Sequence, residues 1–139
     1  MKESKSIPFS KVDTYIVTAG SAYLDIDAYA CCVAMAQLLQ CRGMNAIAWS
    51  SAPRNCSVCE QLTVDAPIAA ALPAGWDEKS AKFILVDISD PAYLSPEVSP
   101  ERVVGVFDHH VGFEEYWQSR IGKGCCIEFI GAAATLVYR

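Results

Sequence analysis

Histidine is scarce in this sequence: 139 residues hold only His109 and His110, side by side. Basic clusters are missing as well. Eleven Lys and Arg face sixteen Asp and Glu for a net charge of -5, with no basic run and no stripe of Lys or Arg interleaved with aromatics. That pattern lacks the electrostatic footprint of a duplex DNA or RNA binder, but leaves room for a small phosphate ligand held through metal. Long hydrophobic runs are absent too. The chain is 53% hydrophobic, yet Asp, Gly or Pro breaks every apolar segment well before the ~20 residues that span a bilayer. The amino terminus has no signal-peptide core. These absences predict a cytoplasmic protein without a membrane partner.

Cysteine, by contrast, is plentiful. The count of seven is odd, and Cys31, Cys32 and Cys41 fall inside a helical pattern, so reduced thiols are expected rather than a disulfide framework. Cys56-Ser57-Val58-Cys59 is a lone CxxC with no second pair at zinc-ribbon spacing and no thioredoxin-like helix start after it. A thiol-based metal or redox role is therefore the least favoured reading.

The length suits one compact domain. Residues 1–11 are polar and read as a flexible lead-in, which leaves 12–139 as the domain. Residues 13–19 (DTYIVTA) are rich in β-formers and stop at Gly20-Ser21, where glycine permits a sharp turn. Asp25 and Asp27 lead into an apolar helix over 29–41, with Arg42-Gly43 as its stop. Residues 44–49 give a second strand, and the crossover joining the two strands is right-handed. A loop over 50–59 precedes a short helix over 62–72 that starts near Pro67 and ends at Pro73-Ala74-Gly75. Residues 83–86 (FILV) and 103–107 (VVGVF) are apolar strands separated by a Pro-punctuated loop over 92–102. Residues 111–122 show no clear period, 125–130 (CCIEFI) resemble a last strand, and 131–139 open a helix. The small residues at that helix start either expose backbone N–H groups to an anion, with Thr135 adding a hydroxyl, or allow close packing on the sheet. This alternation predicts an α/β fold with a mostly parallel sheet of roughly five strands.

Three of these strands deliver acid or imidazole just past their carboxyl ends. Asp25 and Asp27 follow the first, Asp87 and Asp90 follow the FILV strand, and Asp108, His109 and His110 follow the VVGVF strand. Parallel pairing brings such tips to one edge, where the loops of an open sheet form the ligand crevice. Carboxylate with neutral imidazole is a ligand set for Zn, Mn, Fe or Co. One Asp before a helix is explained by capping and the helix dipole. A second acid beside it calls for a cation, because like charges held close raise each other's cost of ionisation. For the pair, capping and ligation both stand; the whole constellation reads as a divalent-metal site.

Four blocks carry a family resemblance: Gly20 to Ala28 (GSAYLDIDA), Val86 to Asp90 (VDISD), Asp108-His109-His110, and Gly131 to Val137 (GAAATLV). In this order and spacing the chain resembles the amino-terminal domain of the DHH phosphoesterase superfamily over nearly all of residues 13 to 139. The resemblance implies a three-layer αβα domain and a two-metal site, usually manganese with Mg or Co as substitutes, that hydrolyses phosphoanhydride or phosphodiester bonds. By position, Asp25 would bind one metal and Asp27 the other, Asp87 would bridge both, and His109 would join Asp27. His110 would contact substrate phosphate, and Asp108 would orient its neighbours. The fourth block is most similar to that of family II inorganic pyrophosphatases and exopolyphosphatases, which implies pyrophosphate or polyphosphate as substrate and allows a homodimer. The alternatives are an oligonucleotide or cyclic-dinucleotide phosphodiesterase of the same superfamily, and a non-catalytic nucleotide- or metal-binding module. Two departures matter. Ser21 stands where the pyrophosphatase pattern has a metal-binding His, and a further aspartate ligand and a second domain would lie past Arg139. The expectation is a fragment that binds metal weakly and turns over little alone.

Overall fold

The computed structural model describes residues 9–10, 13–72, 76, 81–128 and 130–137. Its centre is an all-parallel sheet of β1 (Thr14–Thr18), β2 (Asn45–Ala48), β3 (Lys82–Val86), β4 (Val103–Asp108) and β5 (Cys125–Ile127), in the order β2-β1-β3-β4-β5. After their first residue, β1 and β3 are buried throughout. Both faces of these central strands are covered, which is why they read as unbroken apolar runs. The chain moves outward from β1 to β2, then reverses through β3, β4 and β5. Such a reversal opens a crevice between the carboxyl ends of β1 and β3.

One face of the sheet carries α1 (Ile26–Cys41), α2 (Glu60–Asp65) and α4 (Ala134–Val137), packed on Tyr15, Val17, Ile84 and Val86. The other carries α3 (Glu114–Ile121), whose Trp117 sits among Ile16, Phe83, Leu85 and Val106. The fold is thus the expected three-layer α/β domain with five parallel strands. Met35 and Leu39 of α1 are fully enclosed, and side chains of that kind each contribute roughly 1.5–3 kcal/mol on burial. Asp25 caps α1, its Oδ1 accepting from Ala28 N at 2.8 Å, so the helix begins three residues before position 29. Gly43 just beyond the helix takes a φ of 79°, the left-handed turn anticipated from the Arg-Gly stop. Among the described residues no helix is long and apolar enough to cross a membrane. All seven cysteines lie outside disulfides, with Cys31 and Cys32 buried.

Several elements differ from the sequence expectation. Helix α2 ends where a helix starting near Pro67 was expected to begin: Ala66 has φ -135° and ψ 73°, because the proline ring pushes the preceding residue out of helical conformation. Ala69 then bridges Trp49 in parallel, extending the sheet rather than a helix. The expected stop at Pro73-Ala74-Gly75 lies outside the described residues. Residues 111–122, without visible period, contain α3, which buries only Trp117. One anchor produces no repeat. Strand β5 stops at Ile127, short of residue 130. Of the lead-in, only Phe9 and Ser10 are described, and Phe9 is packed: its ring lies 5.4 Å from that of Tyr15 and covers Gly105, where a Cβ would come within 2.9 Å of it. The remainder of the lead-in, Phe129, Tyr138 and Arg139 lie outside the described residues.

Candidate metal centre

The six residues expected as metal or catalytic groups stand at the carboxyl edge of the sheet, at the N-cap and in the first turn of α1 (Asp25 and Asp27), just after β3 (Asp87) and at the end of β4 (Asp108 to His110). The tightest group is Asp87, Asp108, His109 and His110, each offering one ligand atom within 4.8 Å of the others. Asp27 adjoins it, with Oδ2 3.6 Å from His109 Nε2. Asp25 lines the same cleft, its Oδ1 occupied by the cap of α1.

Backbone groups hold Asp25, Asp27, Asp108 and His109, and these in turn hold Asp87 and His110. His109 Nδ1 donates to the Ile130 carbonyl at 3.1 Å, which directs Nε2 inward to Asp87 Oδ1 at 2.9 Å. This is how an imidazole is oriented for a metal, one nitrogen fixed on a carbonyl and the other aimed into the site. At 2.9 Å a single proton must lie between Nε2 and the carboxylate. Asp108 is completely buried; its Oδ1 accepts from His109 N and from His110 Nδ1 at 2.8 and 2.7 Å. Its Oδ2 is buried without a hydrogen-bond partner among the described residues. An uncompensated buried carboxylate oxygen is costly unless a cation or proton meets it. His110 is 60% exposed, and with Nδ1 fixed on Asp108 its Nε2 is the nitrogen left for a ligand.

The electrostatics separate the two central acids. Burial, followed by Asp27, Asp25 and Asp108, pushes Asp87 up to about 8. Asp27 goes the other way: burial raises it, but hydrogen bonds from Ala133 N and Ala134 N at 2.9 and 3.0 Å outweigh that and hold it below the usual carboxylate range. Asp87 also adopts a φ of 56°, a left-handed conformation uncommon for a residue with a side chain. Strained backbone at a cluster of acids is common where geometry serves a ligand. The donor set of carboxylates and imidazole, the orphaned Asp108 Oδ2 and the proton held between Asp87 and His109 together suit a divalent cation.

Some contributors were not visible beforehand. Trp117 donates from Nε1 to the Ser89 carbonyl at 2.7 Å, tying α3 to the loop that carries Asp87. Ser21 donates from N and Oγ to the Tyr93 carbonyl, joining the β1–α1 loop to the segment after β3. Ser57 Oγ accepts from Ile26 N, between Asp25 and Asp27. A sequence gives no signal for such side-chain-to-backbone ties across loops. No protein-family model matches the chain, and no curated protein is detectably similar to it in sequence.

Proposed function

We propose that the chain is the amino-terminal domain of a metal-dependent phosphohydrolase of the DHH kind. The observation that carries this reading is the convergence of Asp87, Asp108, His109 and His110 within 4.8 Å, with Asp27 beside them, at the switch point of a parallel sheet. Manganese is the cation the resemblance points to, with Asp27, Asp87 and His109 as its holders and Asp25 on the cleft wall. Bound there, divalent ions would supply charge to the phosphoryl oxygens and lower the pKa of water. In the hydrolysis, water oxygen bonds to phosphorus, the bond from phosphorus to the leaving oxygen breaks, and the water's proton passes to that oxygen. His110, oriented through Nδ1 by buried Asp108, presents Nε2 to a substrate oxygen and is placed to hold or give that proton. The fourth block favours the phosphoanhydride bond of pyrophosphate or polyphosphate.

A second reading is binding without turnover. Its support is that both carboxylate oxygens of Asp27 accept backbone N–H groups of the α4 start, while Ser21 spends its hydroxyl on Tyr93. The test is phosphate release from pyrophosphate, polyphosphate and a short oligonucleotide with and without Mn. Mn-dependent release that falls at least about 100-fold in His110→Ala supports the enzyme. Mn binding with no release supports the binding module, and failure to bind Mn overturns both.

A further inference from the structure

Two exposed thiols stand beside the start of α1. Cys56 and Cys59 are both free, and Cys59, the residue before α2, makes no capping bond with its side chain. Asn55 to Val58 fold into a tight turn: Val58 N donates to the Asn55 carbonyl at 3.1 Å, and Ser57 N donates to Asn55 Oδ1 at 2.9 Å. The two cysteines bracket Ser57 within this Asn-anchored turn.

The turn is fastened to the chain on both sides of Asp25. Asn55 N donates to the Leu24 carbonyl and Leu24 N to the Pro53 carbonyl, each at 2.8 Å, while Ile26 N donates to Ser57 Oγ at 2.9 Å. Leu24 is buried and pairs with Arg54 in a short parallel bridge. Asp25 thus reaches the cleft from a backbone whose two flanking residues are held by the segment that carries the thiols.

The other cysteines are not so placed. Cys31 and Cys32 are buried on α1, and Cys125 and Cys126 are neighbours in β5, where successive side chains point to opposite faces. Cys41 is exposed but ends α1, roughly 22 Å along the helix from Ile26 at about 1.5 Å per residue.

We infer that Cys56 and Cys59 form a dithiol site that takes up an intramolecular disulfide from a low-molecular-weight disulfide and, through Ser57, loosens the chain around Asp25. The thiolate of one cysteine attacks the small disulfide and expels one small thiol; the second cysteine attacks the mixed disulfide and expels the other. The protein pair is oxidised by two electrons, and the small disulfide leaves as two thiols that carry the two protons. The bridge closes residues 56 to 59, one residue out of step with the hydrogen-bonded turn of 55 to 58, and so draws Ser57 off Ile26 N. Its effect on a bound cation rests on the metal-centre reading above; the bridge and the loosening do not.

The full chain, equilibrated with oxidised and reduced glutathione, then alkylated and mapped by peptide mass, should show a Cys56–Cys59 bridge that excess reductant reverses. Hydrogen exchange at the Ile26 amide should be roughly fivefold faster in the oxidised chain, as for loss of one hydrogen bond. Ser57→Ala should exchange fast at Ile26 in both states, whereas Cys56→Ser and Cys59→Ser should keep the slower rate in both. Circular dichroism on the same variants separates these effects from loss of fold. Mixed disulfides with glutathione alone, a bridge to Cys41, or a Cys56–Cys59 bridge that leaves Ile26 exchange unchanged overturns the inference. In Mn calorimetry the oxidised chain should bind more weakly than the reduced one, and equal binding overturns the link to Asp25. Absence of Mn binding in both states overturns the metal centre, while the thiol site stands or falls on mapping and exchange.

Discussion

Asp87 is the residue on which the electrostatics of the edge turn, since its side chain is only 7% exposed and faces three other aspartates. Its carboxyl, raised to about 8, binds a proton more tightly in the folded than in the unfolded chain. The stability it contributes is therefore complete below the unfolded carboxylate range and is lost as pH rises towards 8. Without metal, melting should weaken from about pH 5 to 8, with a slope approaching ~1.4 kcal/mol per pH unit from this group at most. Asp87→Asn keeps the shape, tolerates the left-handed backbone and should flatten that slope. Melts of both proteins across this range check it; parallel slopes would exclude Asp87 as the source. Asp27 acts in the opposite sense. Held low, its stabilising contribution is present above the ordinary carboxylate range and is lost only in acid.

Among the elements, α4 depends most on a single side chain. Asp27 accepts from Ala133 N and Ala134 N, so one carboxylate satisfies the orphan donors that open a helix of only four residues. Asp27→Ala should cost roughly 1.5–3 kcal/mol, as for charged hydrogen bonds, and release α4. Faster hydrogen exchange at the Ala133 and Ala134 amides would register it; unchanged protection would mean the cap is dispensable. This tie also explains what could and could not be read in the sequence. The inner strands β1, β3 and β4 were legible because burial on both faces leaves contiguous apolar runs. The convergence of the six candidate residues was legible because parallel strands deliver their tips to one edge. Helix α3 was not, since Trp117 alone is buried on it and no period forms. Pro67 misled because proline favours the first turn of a helix and also ends one at the residue before it; the choice was made by Ala69 pairing with Trp49. The dual service of Asp27, cap and candidate ligand, needed the α4 start brought next to it.

At the scale of the molecule, the sheet separates a buried interior from a reactive surface, and the thiols report it. Cys41, Cys56 and Cys59 are exposed, whereas Cys31 and Cys32 are buried and burial raises both thiols well above their ordinary range. Native protein should lose Cys41, Cys56 and Cys59 rapidly to iodoacetamide and keep Cys31 and Cys32 until unfolding, as peptide mass mapping would show. Early labelling of Cys31 or Cys32 would mean that α1 does not pack as described. The same division leaves carboxylates and imidazoles close together at the carboxyl edge, with no Lys or Arg paired to them among the described residues. If this edge is the proposed divalent-metal centre, loading displaces the proton between Asp87 and His109. Titration of the chain with Mn by calorimetry, at neutral pH in two buffers of different ionisation enthalpy, tests it most directly. Binding should be saturable with net proton release, and both should be lost in Asp87→Asn and His109→Ala. No Mn binding, or binding of equal strength in both variants with no proton released, would contradict it.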